Sequence, residues 1–82
     1  MKVKAYTLST CVHCRMTKAF LKDNNVDFEY VDVDLLTGET RKDVLREIYR
    51  LTGGYSFPVI VIGETVIVGF NKDRLEKELE CA

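Results

Sequence analysis

Cys11-Val12-His13-Cys14 follows an apolar run of β type, Val3 to Leu8, and opens a segment with helical periodicity. A Cys-x-x-Cys at a strand–turn–helix junction reads as a redox dithiol. Two cysteines separated by two residues at a helix start can bring their sulfurs within disulfide distance. Cys11 falls at the helix N-terminus, where unpaired N–H groups and the helix dipole favour negative charge. The thiolate is the nucleophile of disulfide exchange, so Cys11 is the expected attacking residue. Cys14, one turn further in, is expected to be more covered and suited to resolving a mixed disulfide. The pattern points to an electron-carrying thiol–disulfide protein with Cys11 and Cys14 as its catalytic pair.

Working outward, Val3, Ala5, Tyr6 and Leu8 make a first strand buried on both faces. Ser9-Thr10 breaks it, and either hydroxyl could accept N–H bonds at the helix start. Val12, Met16, Ala19 and Phe20 then recur at helical spacing and predict the buried face, with Arg15, Lys18 and Lys22 on the solvated one. Asn24-Asn25 can take the left-handed conformation that ends a helix. Asp27 to Asp34 alternates as a second strand near an edge. Thr40-x-x-Asp43 resembles a capping box for a second helix, with Val44, Leu45, Ile48 and Leu51 as its buried stripe and Gly53-Gly54 as its stop. Pro58 to Ile62, Gly63-Glu64 and Thr65 to Val68 read as a hairpin. Asn71 can cap a last helix carrying Leu75 and Leu79. The order β-α-β-α-β-β-α predicts one α/β domain over residues 1–82. A right-handed crossover makes the first two strands parallel, and the hairpin completes a mixed four-stranded sheet.

The chain has 82 residues, 46% apolar and 30% charged, which suits one globular domain with a modest core. Twelve basic and 13 acidic residues are interspersed and nearly cancel. No basic block or basic–aromatic stripe points to nucleic acid, and no arginine-rich amphipathic segment points to a membrane surface. The longest apolar run, Pro58 to Ile62, is too short to span a bilayer. The N-terminus leads into a strand rather than a signal peptide, so the expected location is the cytoplasm, where a Cys-x-x-Cys is catalytic or metal-binding rather than structural. Nothing in the sequence calls for more than a monomer.

Three stretches, Ser9-Thr10-Cys11-Val12-His13-Cys14, Ser56-Phe57-Pro58-Val59 and Gly69-Phe70-Asn71-Lys72-Asp73, occur in this order over nearly the whole length. With the element order they resemble the thioredoxin fold and, within it, the glutaredoxin family. The resemblance implies that Pro58 is cis and faces the Cys11–Cys14 pair, and that the backbone of Phe57 hydrogen-bonds an extended substrate or glutathione. It also implies that Val12, His13, Gly69, Phe70 and Asn71 belong to the substrate site. Typical glutaredoxins carry Cys-Pro-Tyr-Cys and a Gly-Gly pair. Here Cys-Val-x-Cys and Gly-Phe-x-x-Asp look more like the glutaredoxin-like redoxins that take electrons from thioredoxin reductase and serve ribonucleotide reductase. On this resemblance Phe70 fills room that glutathione needs. From their positions, Phe57 and Phe70 are expected to form an exposed apolar patch around the dithiol, a docking surface for partner peptides. The implied partners are disulfide-containing proteins, with no bound cofactor and with NADPH electrons arriving through glutathione or thioredoxin reductase.

The rival for the cysteine pair is a metal or iron–sulfur cluster site without redox turnover. Structural zinc wants four ligands, usually in two paired sets, and this chain offers one pair, His13 between them and Cys81 near the end. No metal site is therefore expected. His13 is either an exposed bystander or a positive neighbour that raises the redox potential. Cys81 is expected to be an inert thiol. Arg15 and Lys18 are expected to be solvated, with a positive rim around the Cys11 thiolate as the alternative.

Overall fold

A computed structural model describes residues 2–80. In chain order it contains β1 (Val3–Thr7), α1 (Val12–Asp23), β2 (Glu29–Asp32), a 3-10 turn (Val33–Leu35), α2 (Gly38–Thr52), β3 (Val59–Ile62), β4 (Thr65–Val68) and α3 (Lys72–Glu80). The strands form a mixed sheet in the order β2-β1-β3-β4, with β1 and β2 parallel and the other pairs antiparallel. This is the thioredoxin-like order expected from the sequence.

Side-chain alternation along the central strands divides the core between the two faces of the sheet. On one face Val3, Ile60, Ile62 and Ile67 pack with Leu21 of α1 and Leu75 of α3. On the other, Tyr6 and Val59 pack with Val33 and with Ile48 of α2. β3 contributes to both faces in turn, Val59 to one and Ile60 to the next, which is why Pro58 to Ile62 reads as an unbroken apolar run. Fully burying each such aliphatic side chain stabilises the fold by about 1.5–3 kcal/mol relative to exposure. The expected α2 stripe holds, since Val44, Leu45 and Leu51 flank buried Ile48 on that second face. Gly53 ends α2 in the left-handed conformation, φ 75°, and Asn25 takes φ 57° just after α1.

Four local expectations are corrected. The buried face of α1 is Cys14, Thr17 and Leu21, whereas Val12 and Met16 are exposed. Thr17 can be buried because its hydroxyl donates to the His13 carbonyl at 2.9 Å, so its polar atom is satisfied within the helix. Neither Ser9 nor Thr10 caps α1; Cys11 does. The second strand is shorter than its alternation suggested, because the chain turns into the 3-10 segment at Val33 and buries that side chain under α2. α2 starts at Gly38 after Thr37, with no side-chain cap bond, rather than from a box at Thr40. Cys81 lies outside the described residues.

Candidate active site at the start of α1

Sheet register brings the three sequence stretches to one end of the molecule. Tyr6 pairs with Val59 in the antiparallel β1–β3 ladder, so Thr7 and Pro58 come next to each other at the end where α1 begins. Val59 pairs with Val68, which carries Gly69 to the same end; its N–H donates to the Pro58 carbonyl at 2.7 Å, and its φ of 84° suits glycine. Thr7 also pairs with Asp32 in the parallel β1–β2 ladder. The Phe57–Pro58 peptide is cis, as the resemblance implied, and Pro58 is buried.

Cys11 takes the extended conformation of an N-cap, and its Sγ accepts the Cys14 N–H at 3.3 Å. A sulfur thus occupies the place usually held by a Ser or Asp oxygen, and negative charge on it faces the open N–H groups of the first turn. Cys11 is half-buried, whereas Cys14 is 0% exposed, and both thiols are free. The Cys14 sulfur accepts the Leu8 N–H at 3.5 Å. Burial pushes the Cys14 thiol up to about 12, reinforced by its hydrogen bond with Cys11 and opposed by the Leu8 N–H and the Lys18 charge. The two sulfurs therefore differ in the way the expected roles require, one reachable and one covered.

The remaining expected site residues divide. Val12 and His13 are exposed on the first turn. Asn71 is exposed, and its Oδ1 accepts the Arg74 N–H at 3.1 Å, so the side chain caps α3. The exposed patch expected of Phe57 and Phe70 is corrected. Phe57 is half-buried against the face of the core that holds Tyr6 and Ile48. Phe70 is half-buried on the opposite face, its ring edge-on to Phe20 at 6.2 Å, because the turn at Gly69 directs it into the core. The exposed apolar side chains next to the dithiol are Val12 and Met16 instead.

Sequence inspection missed a polar network beneath the pair. Lys18 is not solvated: its Nζ donates to Asp32 Oδ1 at 2.9 Å, with the two side chains only 20% and 16% exposed. The same ammonium lies 4.1 Å from the Tyr30 ring centroid, a cation–π contact. Fully buried Thr7 donates its hydroxyl to Asp32 Oδ1. Desolvation pushes the Asp32 carboxyl up, but hydrogen bonds from Thr7 and Lys18 outweigh it and hold the group below the usual carboxylate range. Beside this network Asp34 holds the loop before Cys11, accepting the Ser9 N–H at 2.8 Å and the Ser9 hydroxyl. Those two bonds likewise lower the Asp34 carboxyl. The available signal was Lys18 four positions after Cys14, on the same helix face.

Among the described residues no group of three or more His, Cys, Asp and Glu gathers to hold a metal ion. Among them, too, no helix is long and apolar enough to cross a membrane.

Comparison with known proteins bears on the same region. Residues 3–67 match the family model for glutaredoxin. A glutaredoxin-like 8.6 kDa protein of the rubredoxin operon of Clostridium pasteurianum is 37% identical over 78 residues, covering 95% of this chain and 97% of the relative. The crystal structure of a glutaredoxin from Archaeoglobus fulgidus superposes with a TM-score of 0.91 at 42% identity, over 95% of this chain and 85% of that one. The glutaredoxin-like NrdH-redoxin of Escherichia coli, a protein with a thioredoxin-like activity profile, superposes with a TM-score of 0.74 at 30% identity, over 94% and 93% of the two chains.

Proposed function

This chain belongs to the glutaredoxin family, whose chemistry is thiol–disulfide exchange, and from that premise we propose that it is a dithiol carrier that reduces disulfides of partner proteins through Cys11 and Cys14. The observation that carries this reading is the asymmetry of the pair, with Cys11 half-buried as the N-cap of α1 and Cys14 fully covered beneath it.

In the forward reaction the Cys11 thiolate attacks one sulfur of a substrate disulfide. That S–S bond breaks, a Cys11–substrate disulfide forms, and the other substrate sulfur leaves as a thiolate that takes a proton from solvent. Cys14 then loses its proton and attacks Cys11 Sγ. The mixed disulfide breaks, the second substrate thiol departs, and the chain is left with a Cys11–Cys14 disulfide. Two electrons have passed to the substrate, and an electron donor restores the dithiol. The backbone around Phe57, next to Pro58, together with Gly69 and the exposed Val12 and His13, is the surface against which the substrate segment lies. This chemistry suits the reducing cytoplasm.

The donor is a thioredoxin reductase drawing on NADPH. Cys-Val-x-Cys supports that choice, as does the likeness to an NrdH-redoxin with a thioredoxin-like activity profile. Two coupled assays test it by NADPH consumption: glutathione with glutathione reductase and a small mixed disulfide, and thioredoxin reductase with a protein disulfide. Turnover is expected in the second. Turnover only in the first would assign glutathione as donor. Silence in both would remove the carrier reading. Cys11→Ser is expected to abolish turnover, and Cys14→Ser to accumulate mixed disulfides with substrate.

A further inference from the structure

A carrier of this kind must solve a problem that the burial of Cys14 creates. The resolving step needs Cys14 as a thiolate, yet its covered position disfavours charge on the sulfur. Around it stand the Cys11 thiol at the start of α1, the Leu8 N–H of the segment after β1 and, four residues on along the same face of α1, the Lys18 side chain, whose charge favours the thiolate. Lys18 is in turn fixed by groups from the neighbouring strands. Asp32 and the Tyr30 ring hold its charge from β2, and Thr7 of β1 holds Asp32. Asp34, the next carboxylate, is tied to Ser9. The strand segment that presents Leu8 to the sulfur is thus continuous with the residue that anchors the ion pair.

We propose that Lys18 is a positioning residue for the resolving step, its immobilised ammonium supplying the positive field that lets Cys14 become the attacking thiolate, with Asp32 setting the strength of that field. The role rests on the carrier function proposed above and adds a residue to it. Electrostatics decides the sign of each perturbation. Removing the Lys18 charge makes the Cys14 thiolate rarer. Removing the Asp32 charge leaves the ammonium uncompensated and makes the thiolate commoner. Each tenfold change in thiolate is partly returned as an opposite change in nucleophilicity, leaving about a threefold net effect on rate.

The two chemical steps can be timed separately with 5,5′-dithiobis(2-nitrobenzoate) in stopped flow. The reduced chain carries a Cys81→Ser change so that only the dithiol reports. Attack by Cys11 releases the first thionitrobenzoate. Attack by Cys14 on the resulting mixed disulfide releases the second, and Cys14→Ser releases one equivalent only. Lys18→Met is expected to slow the second phase relative to the first, by about threefold for each tenfold loss of thiolate, Lys18→Arg to restore the ratio, and Asp32→Asn to raise it above that of the unsubstituted dithiol. If Lys18→Met leaves too much uncompensated charge to fold, Lys18→Met/Asp32→Asn removes both members of the pair and is expected to slow the second phase as well. An unchanged ratio in the folded lysine variants, no restoration by Lys18→Arg, or a slower second phase in Asp32→Asn would each overturn the proposal. The last result would make the carboxylate the proton acceptor instead. Absence of a second phase in the unsubstituted dithiol would instead count against the carrier reading itself.

Discussion

Thr7→Val removes one hydroxyl from a fully buried position and keeps the side-chain shape. Thr7 has a single proton to donate and two acceptors within reach, the Asp32 carboxylate and the Val31 carbonyl at 3.2 Å. The carboxylate is the closer and the charged one, so the substitution costs a hydrogen bond to an ionised group, about 1.5–3 kcal/mol. A methyl in place of the hydroxyl returns about 0.8 kcal/mol of apolar burial. The net expectation is a loss of about 1–2 kcal/mol at pH 7, which in a domain of this size lowers the Tm by roughly 5–15 °C. The loss must also depend on pH. Asp32 is depressed in the folded chain partly by Thr7, so its contribution is present above the unfolded carboxylate range and fades as pH falls through the folded value. Urea unfolding of both proteins from pH 7 down to pH 3 therefore shows a gap that narrows toward acid. Equal stability at pH 7, or a gap of constant size across the range, would refute the reasoning.

Other expectations follow from the same geometry. Leu21→Ala empties a fully buried site between α1 and the sheet and is expected to cost about 2–5 kcal/mol in denaturant unfolding, a large share of the stability of a domain this small. Asn71→Ala removes the acceptor for the Arg74 N–H and is expected to cost about 1 kcal/mol of stability, and the KM for a protein disulfide separates a capping role alone, which leaves it unchanged, from the expected place in the substrate site, which raises it. Because burial pushes the Cys14 thiol up to about 12, the unfolded chain gives up that proton first. The reduced protein should therefore lose about 1.4 kcal/mol of stability per pH unit through the alkaline range above the ordinary thiol value, a slope that Cys14→Ser removes.

Local patterns in the sequence were enough for the element order, the strand-edge assignment of β2, the hairpin, the glycine and asparagine stops, and the placing of Cys11 and Cys14 at the start of α1. Each depends on interactions within a few residues or on a period that burial imposes, so a linear reading reaches them. Side-chain facing was less legible. The buried stripe of α1 includes Thr17, which no hydrophobic count selects, because a hydroxyl bonded to its own helix is satisfied in the interior. Phe70 illustrates the same limit, since the left-handed turn at Gly69 decides which side of the sheet its ring meets. The pairing of Lys18 with Asp32, and of Ser9 with Asp34, joins residues 14 and 25 positions apart. Such contacts exist only because the crossover through α1 lays β2 parallel to β1 and brings Asp32 beside Thr7. The dithiol was written in the chain, but the charge that sits beneath it was assembled by the sheet, because electrostatic neighbours in a fold are set by strand order and not by distance along the sequence.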